Sequence, residues 1–152
     1  MAKKTIKLKK YNDIINEYVA ASAITPGMLI AVGSAGTVAA HAVAGGVCEK
    51  MFALEDELQG KTIDDAYAAA APVQCWNATP GEEVLAILAN GQDVAIGDKL
   101  VSDGAGALTA YSEDSSAIVV ETYPIAIALE AVDMSGSSGA DVAGGRIAVR
   151  IL

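Results

Sequence analysis

Residues 26–40 read PGMLIAVGSAGTVAA, and residues 96–110 read IGDKLVSDGAGALTA. In the first stretch Pro26-Gly27 marks a turn, Met28–Val32 is a short apolar run, Gly33-Ser34-Ala35-Gly36 is a hairpin-like loop, and Thr37–Val43 returns. Short runs of apolar and β-branched residues bounded by Gly, Pro and Ser read as strands joined by tight turns. The second stretch repeats the first at an offset of 70: Gly27-x-x-Ile30, Ala35-Gly36-x-Val38-x-Ala40 becomes Gly97-x-x-Leu100, Ala105-Gly106-x-Leu108-x-Ala110. Ala53-Leu54-Glu55 then recurs as Ala128-Leu129-Glu130, and Val84-x-Ala86-x-Leu88 as Ile147-x-Val149-x-Ile151. Three elements in the same order predict two related β units, at 24–88 and 96–152. The competing reading is chance likeness between hairpins in a chain so rich in Ala and Gly.

Outward from these hairpins the same signals predict strands at Val47–Leu54, Val73–Trp76, Glu83–Leu88, Ile118–Glu121, Ile125–Leu129 and Ile147–Leu152. The segment 55–71 departs from the pattern. Thr62 and Asp65 resemble a capping box, and Ile63, Ala66, Tyr67 and Ala70 share a helical face, which predicts a helix ended by Pro72. Tyr11, Ile14, Ile15, Tyr18 and Val19 also fall at helical spacing behind Asn12, so residues 11–20 read either as a short helix or as continued extended chain. The expected fold is mainly β: a small barrel body with short helical segments and an extended N-terminal arm. Residues 1–22 form the arm and 23–152 a single domain.

The arm has its own chemistry. Lys3, Lys4, Lys7, Lys9 and Lys10 are half of the ten basic residues, and the first ten residues hold no acid. The whole chain carries −9, so removing these five positive charges leaves residues 11–152 at −14. In Thr5-Ile6-Lys7-Leu8-Lys9, Ile6 and Leu8 alternate with lysines, which puts the apolar pair on one face of a strand. Such a strand gains hydrogen bonds and a place for its apolar face by joining a sheet edge. The competing reading is a solvated basic tail.

At 152 residues the chain is long enough for one domain with a core needing no metal or disulfide. Half the residues are apolar but only 5% are aromatic, which leaves few flat rings for gripping sugars or bases. Cys48 and Cys75 stand alone and read as reduced core residues, with a single disulfide as the alternative. The start has no apolar stretch of signal-peptide form, and no run of about 18 apolar residues exists to span a membrane. Synthesis in a cytoplasm is the expectation, and the acidic body opposes direct nucleic-acid binding.

No catalytic constellation stands out. His41 is the only histidine, and no Ser or Cys partner is evident nearby. Glu55-Asp56-Glu57 and Asp64-Asp65 lack calcium-loop spacing and read as a solvated face. Asp133–Gly139 is Gly/Ser-rich but lacks the lysine of a phosphate loop and reads as a long hairpin. Trp76 reads either as core or as an interface anchor. No metal, cofactor or catalytic residue is expected.

Several stretches resemble one family. After the basic arm come ITPGMLIAV, ALEDELQGKTIDDAY, GDKLVSDGAGALTA and a closing ALEAVD…GRIAVRIL. In this order they resemble the head decoration, or cement, proteins of tailed bacteriophages, most specifically over 53–67, 96–110 and 146–152. The resemblance implies a β-barrel or β-tulip body, commonly trimeric, on the outer surface of the virion capsid. Its partners would be the major capsid protein and further copies of itself. The resemblance assigns Lys3, Lys4, Thr5, Ile6, Lys7, Leu8, Lys9 and Lys10 to capsid binding, and Trp76 and Tyr67 are candidates for a subunit interface. The segment 55–71 departs from the smallest members. Two other functions compete: a carbohydrate- or receptor-binding β module on a virion, which the scarcity of aromatics disfavours, and a small β-barrel enzyme built around His41.

Overall fold

The computed structural model describes residues 3–113, 121–136 and 145–152. Its strands are β1 (Lys7–Lys9), β2 (Ile15–Ala20), β3 (Leu29–Val32), β4 (Thr37–Ala40), β5 (Met51–Ala53), β6 (Pro72–Asn77) and β7 (Glu83–Ile87). They continue with β8 (Asp93–Val94), β9 (Lys99–Ser102), β10 (Leu108–Ala110), β11 (Ala126–Ala128), β12 (Val132–Asp133) and β13 (Arg146–Ile151). The fold is mainly β, as its turn-punctuated sequence predicts. The strand expected at 118–121 lies mainly outside the described residues, as does the end of the 133–139 hairpin.

Strands β2, β4, β3, β5 and β6 close into a barrel. A second set, β7, β13, β11, β9 and β10, pairs in the same cyclic order. Register is preserved as well as order. Leu29↔Phe52 and Ile30↔Met51 join β3 to β5, and Lys99↔Ile127 and Leu100↔Ala126 join β9 to β11. Phe52↔Trp76 has its counterpart in Ile127↔Arg150. The first ring closes through the parallel pair Ala20↔Val38, and the second through the isolated parallel bridge Leu88↔Leu108. Loop bonds follow suit: Gly27 N–H donates to Ala53 C=O at 2.8 Å, and Gly97 N–H to Ala128 C=O at 2.9 Å.

The repeated units therefore run from β2 to β6 and from β7 to β13, not over 24–88 and 96–152. The likeness of Val84–Leu88 to Ile147–Ile151 matched two neighbours in one ladder, since β7 pairs with β13. Any two half-buried strands share that alternation, so it cannot identify counterparts.

The helix expected at 55–71 is replaced, and the open choice at 11–20 is decided. Ile15–Val19 pair antiparallel with β6, so residues 15–20 belong to the first barrel and take the extended alternative. In 55–71 a single 3-10 turn, Glu57–Gln59, stops at Gly60 in the left-handed conformation (φ 69°). Tyr67 pairs its backbone with Ile24 instead, so long-range pairing overrides the local helical spacing. Half of the Thr62–Asp65 capping pattern survives without a helix: Asp65 Oδ2 accepts from Thr62 N–H at 2.8 Å and from its hydroxyl at 2.9 Å. Pro72 opens β6, a position where its missing N–H is tolerated.

Ile30, Val38, Met51, Ala53, Val73 and Cys75 fill the first barrel. Leu29, Phe52 and Trp76, on the opposite side of the same strands, join a larger cluster with Ile6, Val84, Leu108 and Ile125. Their counterparts in the second unit are Lys99, Ile127 and Arg150, which are exposed or half-buried. One unit thus buries the outer face that the other leaves to solvent.

Gly27 and Gly97 sit at equivalent turns with φ of 91° and 93°, but only Gly27 is crowded: a Cβ there would meet Leu85 O at 2.9 Å. Gly97→Ala should cost about 1 kcal/mol, the cost of a positive φ for a side chain. Gly27→Ala adds a collision with backbone and should cost at least about twice that. Urea unfolding of the two variants checks the ranking.

Candidate functional site

The arm joins its own sheet. Strand β1 pairs antiparallel with β7 (Lys7↔Val84, Lys9↔Glu83), and Leu85 N–H donates to Ile6 C=O at 2.8 Å. Ile6 is fully buried and Leu8 packs partly buried against the main cluster. The alternation read from sequence is realised as an edge strand with its apolar face inward.

Three glutamates fasten this segment. Glu55, itself buried, accepts from Ile6 N–H at 3.1 Å. Its counterpart in the second unit, Glu130, accepts from Lys3 Nζ at 2.5 Å and from Ala148 N–H at 2.7 Å. Glu82 has no exposed surface and receives three backbone amides: Tyr11 at 2.7 Å, Asn12 at 2.9 Å and Thr79 at 2.6 Å. Burial alone pushes the Glu82 carboxyl up, but the amides of Thr79, Asn12 and Tyr11 together outweigh it and hold the group below the ordinary glutamate value. For Glu130 too, burial raises, while the Lys3 ammonium and the Ala148 amide lower it, with the net shift downward.

Sequence reasoning missed Glu82. The signal was present in Thr79-Pro80-Gly81-Glu82, a Pro-Gly turn with an acid three residues after a threonine. Here Glu82 N–H donates to Thr79 C=O at 3.1 Å while its carboxylate takes the Thr79 amide.

The lysines face outward. Lys7 lies 3.3 Å from Asp13, Lys10 pairs with the same carboxylate, and Lys9 Nζ stands 5.5 Å from the Tyr11 ring centre. The Lys10 and Lys7 contacts hold the exposed Asp13 carboxyl below its ordinary value against a small opposing effect of burial. Lys3, Lys4, Lys9 and Lys10 are exposed, and Thr5 and Lys7 half-buried. Exposed pairs of this kind contribute little to stability, so these ammonium groups can exchange partners at low cost.

The other candidates are interior. Trp76 is fully buried, and Tyr67 is buried with its hydroxyl donating to Leu54 C=O at 2.8 Å; burial pushes that phenol up to about 12. Trp76 presents no surface to a partner, and Tyr67 is only 8% exposed. Cys48 and Cys75 are free thiols, and burial pushes Cys75 up to about 12. His41 does have a serine partner, contrary to the sequence reading. Ser102, from the other unit, lies 2.7 Å from Nδ1, and Val47 C=O is 3.3 Å from Nε2. The neutral ring that fits donates from Nε2 and accepts the Ser102 hydroxyl at Nδ1. Ser102 Oγ also accepts from Gly104 N–H at 3.1 Å. Both side chains are buried, and among the described residues no carboxylate hydrogen-bonds the ring; the pair ties the two units together. Asp64 pairs with Arg146 at 2.9 Å. Among the described residues no group of three or more His, Cys, Asp or Glu is placed to hold a metal ion, and no helix is long and apolar enough to cross a membrane.

No protein-family model matches the chain, and no curated protein matches it.

Because the folded Glu82 carboxyl sits below its ordinary value of 4.5, its contribution is complete above that pH and is lost as pH falls through the lower folded value. The protection of the Tyr11 and Asn12 amides, taken as the ratio of intrinsic to observed exchange rate at each pH, should therefore fall in acid. Glu82→Gln should destabilise the chain by about 1–3 kcal/mol at neutral pH, because it places an amide donor against backbone donors. It should also flatten the acid dependence, measured by exchange and urea titrations across pH.

Proposed function

We propose that this protein is a virion structural protein: a capsid decoration, or cement, protein that binds the outer surface of a tailed-bacteriophage head through the lysine-bearing face of β1. One observation carries the reading. An acidic β body holds a basic edge strand in a fixed extended form, with Lys4 and Lys9 exposed. The likeness of residues 53–67, 96–110 and 146–152 to head decoration proteins supplies the biological setting.

The mechanism follows from ordering and repetition. A strand already folded against its own body loses little conformational freedom on binding, which favours association. Its ammonium groups meet an acidic shell surface, a contact that weakens as salt screens it. Repeated over many equivalent positions, and strengthened if copies assemble as trimers, modest single contacts hold durably and stabilise the DNA-filled head. No chemistry is required of the body.

Deleting residues 2–10 is a poor test of this reading, because it also removes Ile6 from the core. Charge reversal at exposed positions separates binding from folding. With heads assembled from the shell protein of the same virion, Lys4→Glu combined with Lys9→Glu should keep the wild-type unfolding curve. Co-sedimentation with the heads should fall about tenfold or more, and the residual binding should depend less on salt. Undiminished co-sedimentation of that variant would count decisively against the arm as the fastening element.

A further inference from the structure

The repetition of the two units gives every strand edge a counterpart, and one edge is covered in only one unit. In the second unit β7 has β13 on one side and the arm on the other, where Leu85 N–H donates to Ile6 C=O at 2.8 Å. By register, the counterparts of Glu83, Val84 and Leu85 are Ile15, Asn16 and Glu17 of β2. Strand β2 has β6 on one side from Ile15 to Val19. On its other side, among the described residues, β4 pairs with Val19 and Ala20 and no strand pairs with Ile15–Tyr18.

The direction of the open backbone groups follows from the ladder. Asn77 N–H donates to Ile14 C=O at 3.0 Å, and Ala20 N–H to Ala71 C=O at 2.9 Å. In an antiparallel pair the hydrogen-bonding residues alternate. Asn16 and Tyr18 thus also turn their backbone groups to β6, and Glu17 turns its N–H and C=O to the uncovered side. Ile14, Ile15 and Val19 stand 52%, 38% and 46% exposed along this strand.

We infer that the Ile15–Glu17 edge of β2 is a docking site for an extended segment of another protein, in which apolar residues alternate with basic ones and which adds antiparallel as a further strand. The chemistry is read from the occupied counterpart, where the added strand is Thr5-Ile6-Lys7-Leu8-Lys9. Residues 11–20 contain no basic residue, and Glu17, whose carboxylate accepts from the neutral Gln74 amide at 2.9 Å, offers a negative charge that complements a basic occupant. The chain's own arm cannot serve both edges, since Ile6 is buried against β7 and Glu82 pins Tyr11 and Asn12. A second copy's arm is committed in the same way, which leaves a different protein as the source. The inference rests on edge geometry and stands apart from the capsid reading.

The probe is a fluorescein-labelled peptide with the sequence of residues 4–10, KTIKLKK, titrated into the full-length protein. Anisotropy should report saturable binding, with the largest amide shifts at Ile15–Val19 and slowed exchange at the Glu17 amide. Glu17→Pro removes that outward N–H while sparing the bonds to β6, and should weaken binding about tenfold or more. Glu17→Lys keeps the amide and reverses the charge, so it tests the site with less risk to the fold and should weaken binding several-fold. Four results would overturn the inference: no binding, shifts at Val84–Ile87 through displacement of the arm, undiminished binding by both variants, or a self-association abolished by Glu17→Pro that places a second copy on this edge.

Discussion

Packing of one outer barrel face against the neighbouring unit is the constraint on which the architecture depends. Leu29, Phe52 and Trp76 project outward from β3, β5 and β6 and are buried in a cluster that they share with the second unit and with Ile6 of the arm. Aromatic side chains of this size each remove roughly 150–250 Å² from water, so this contact supplies a large share of the core. Among the described residues the Trp76 Nε1 group has no hydrogen-bond partner, a cost that the apolar burial outweighs. Without this docking the first barrel would expose its largest side chains. Gly27 allows the close approach, since no side chain fits between its backbone and Leu85.

The arm belongs to the same construction. Ile6 enters the shared cluster, and Glu55 and Glu130, the ends of the two Ala-Leu-Glu repeats, both turn toward the arm. Duplicated positions have thus been put to a common asymmetric use. Glu82 completes the fastening with three amides. Such a carboxylate tolerates burial because both of its oxygens meet donors, and charge-assisted bonds of this kind are stronger than neutral ones. Lys4, Lys9 and Lys10 are exposed, away from these buried contacts.

Much of this was legible in the chain. Pro26-Gly27 and the Gly33–Gly36 loop mark real turns, and the Ile6/Leu8 alternation marks a real edge strand. Both signals are local, set by positive φ and by the two-residue period of a strand. The helical spacing in 55–71 misled, and that in 11–20 left helix and extended chain undecided, because backbone groups there found long-range partners in Ile24 and β6. Ser102 as the partner of His41 was hidden because it comes from the other unit, 61 residues away in sequence.

By itself the sequence determined that the protein is mainly β, that its hairpins recur, and that a basic strand precedes an acidic body. These properties reside in turn chemistry, composition and period, which neighbouring residues fix. Only the tertiary structure decided where the repeats begin, which outer face is buried, and which edge the arm occupies. Those outcomes depend on pairing between distant strands, where one ladder closes an edge and its counterpart stays open, and no local pattern in the chain distinguishes the two.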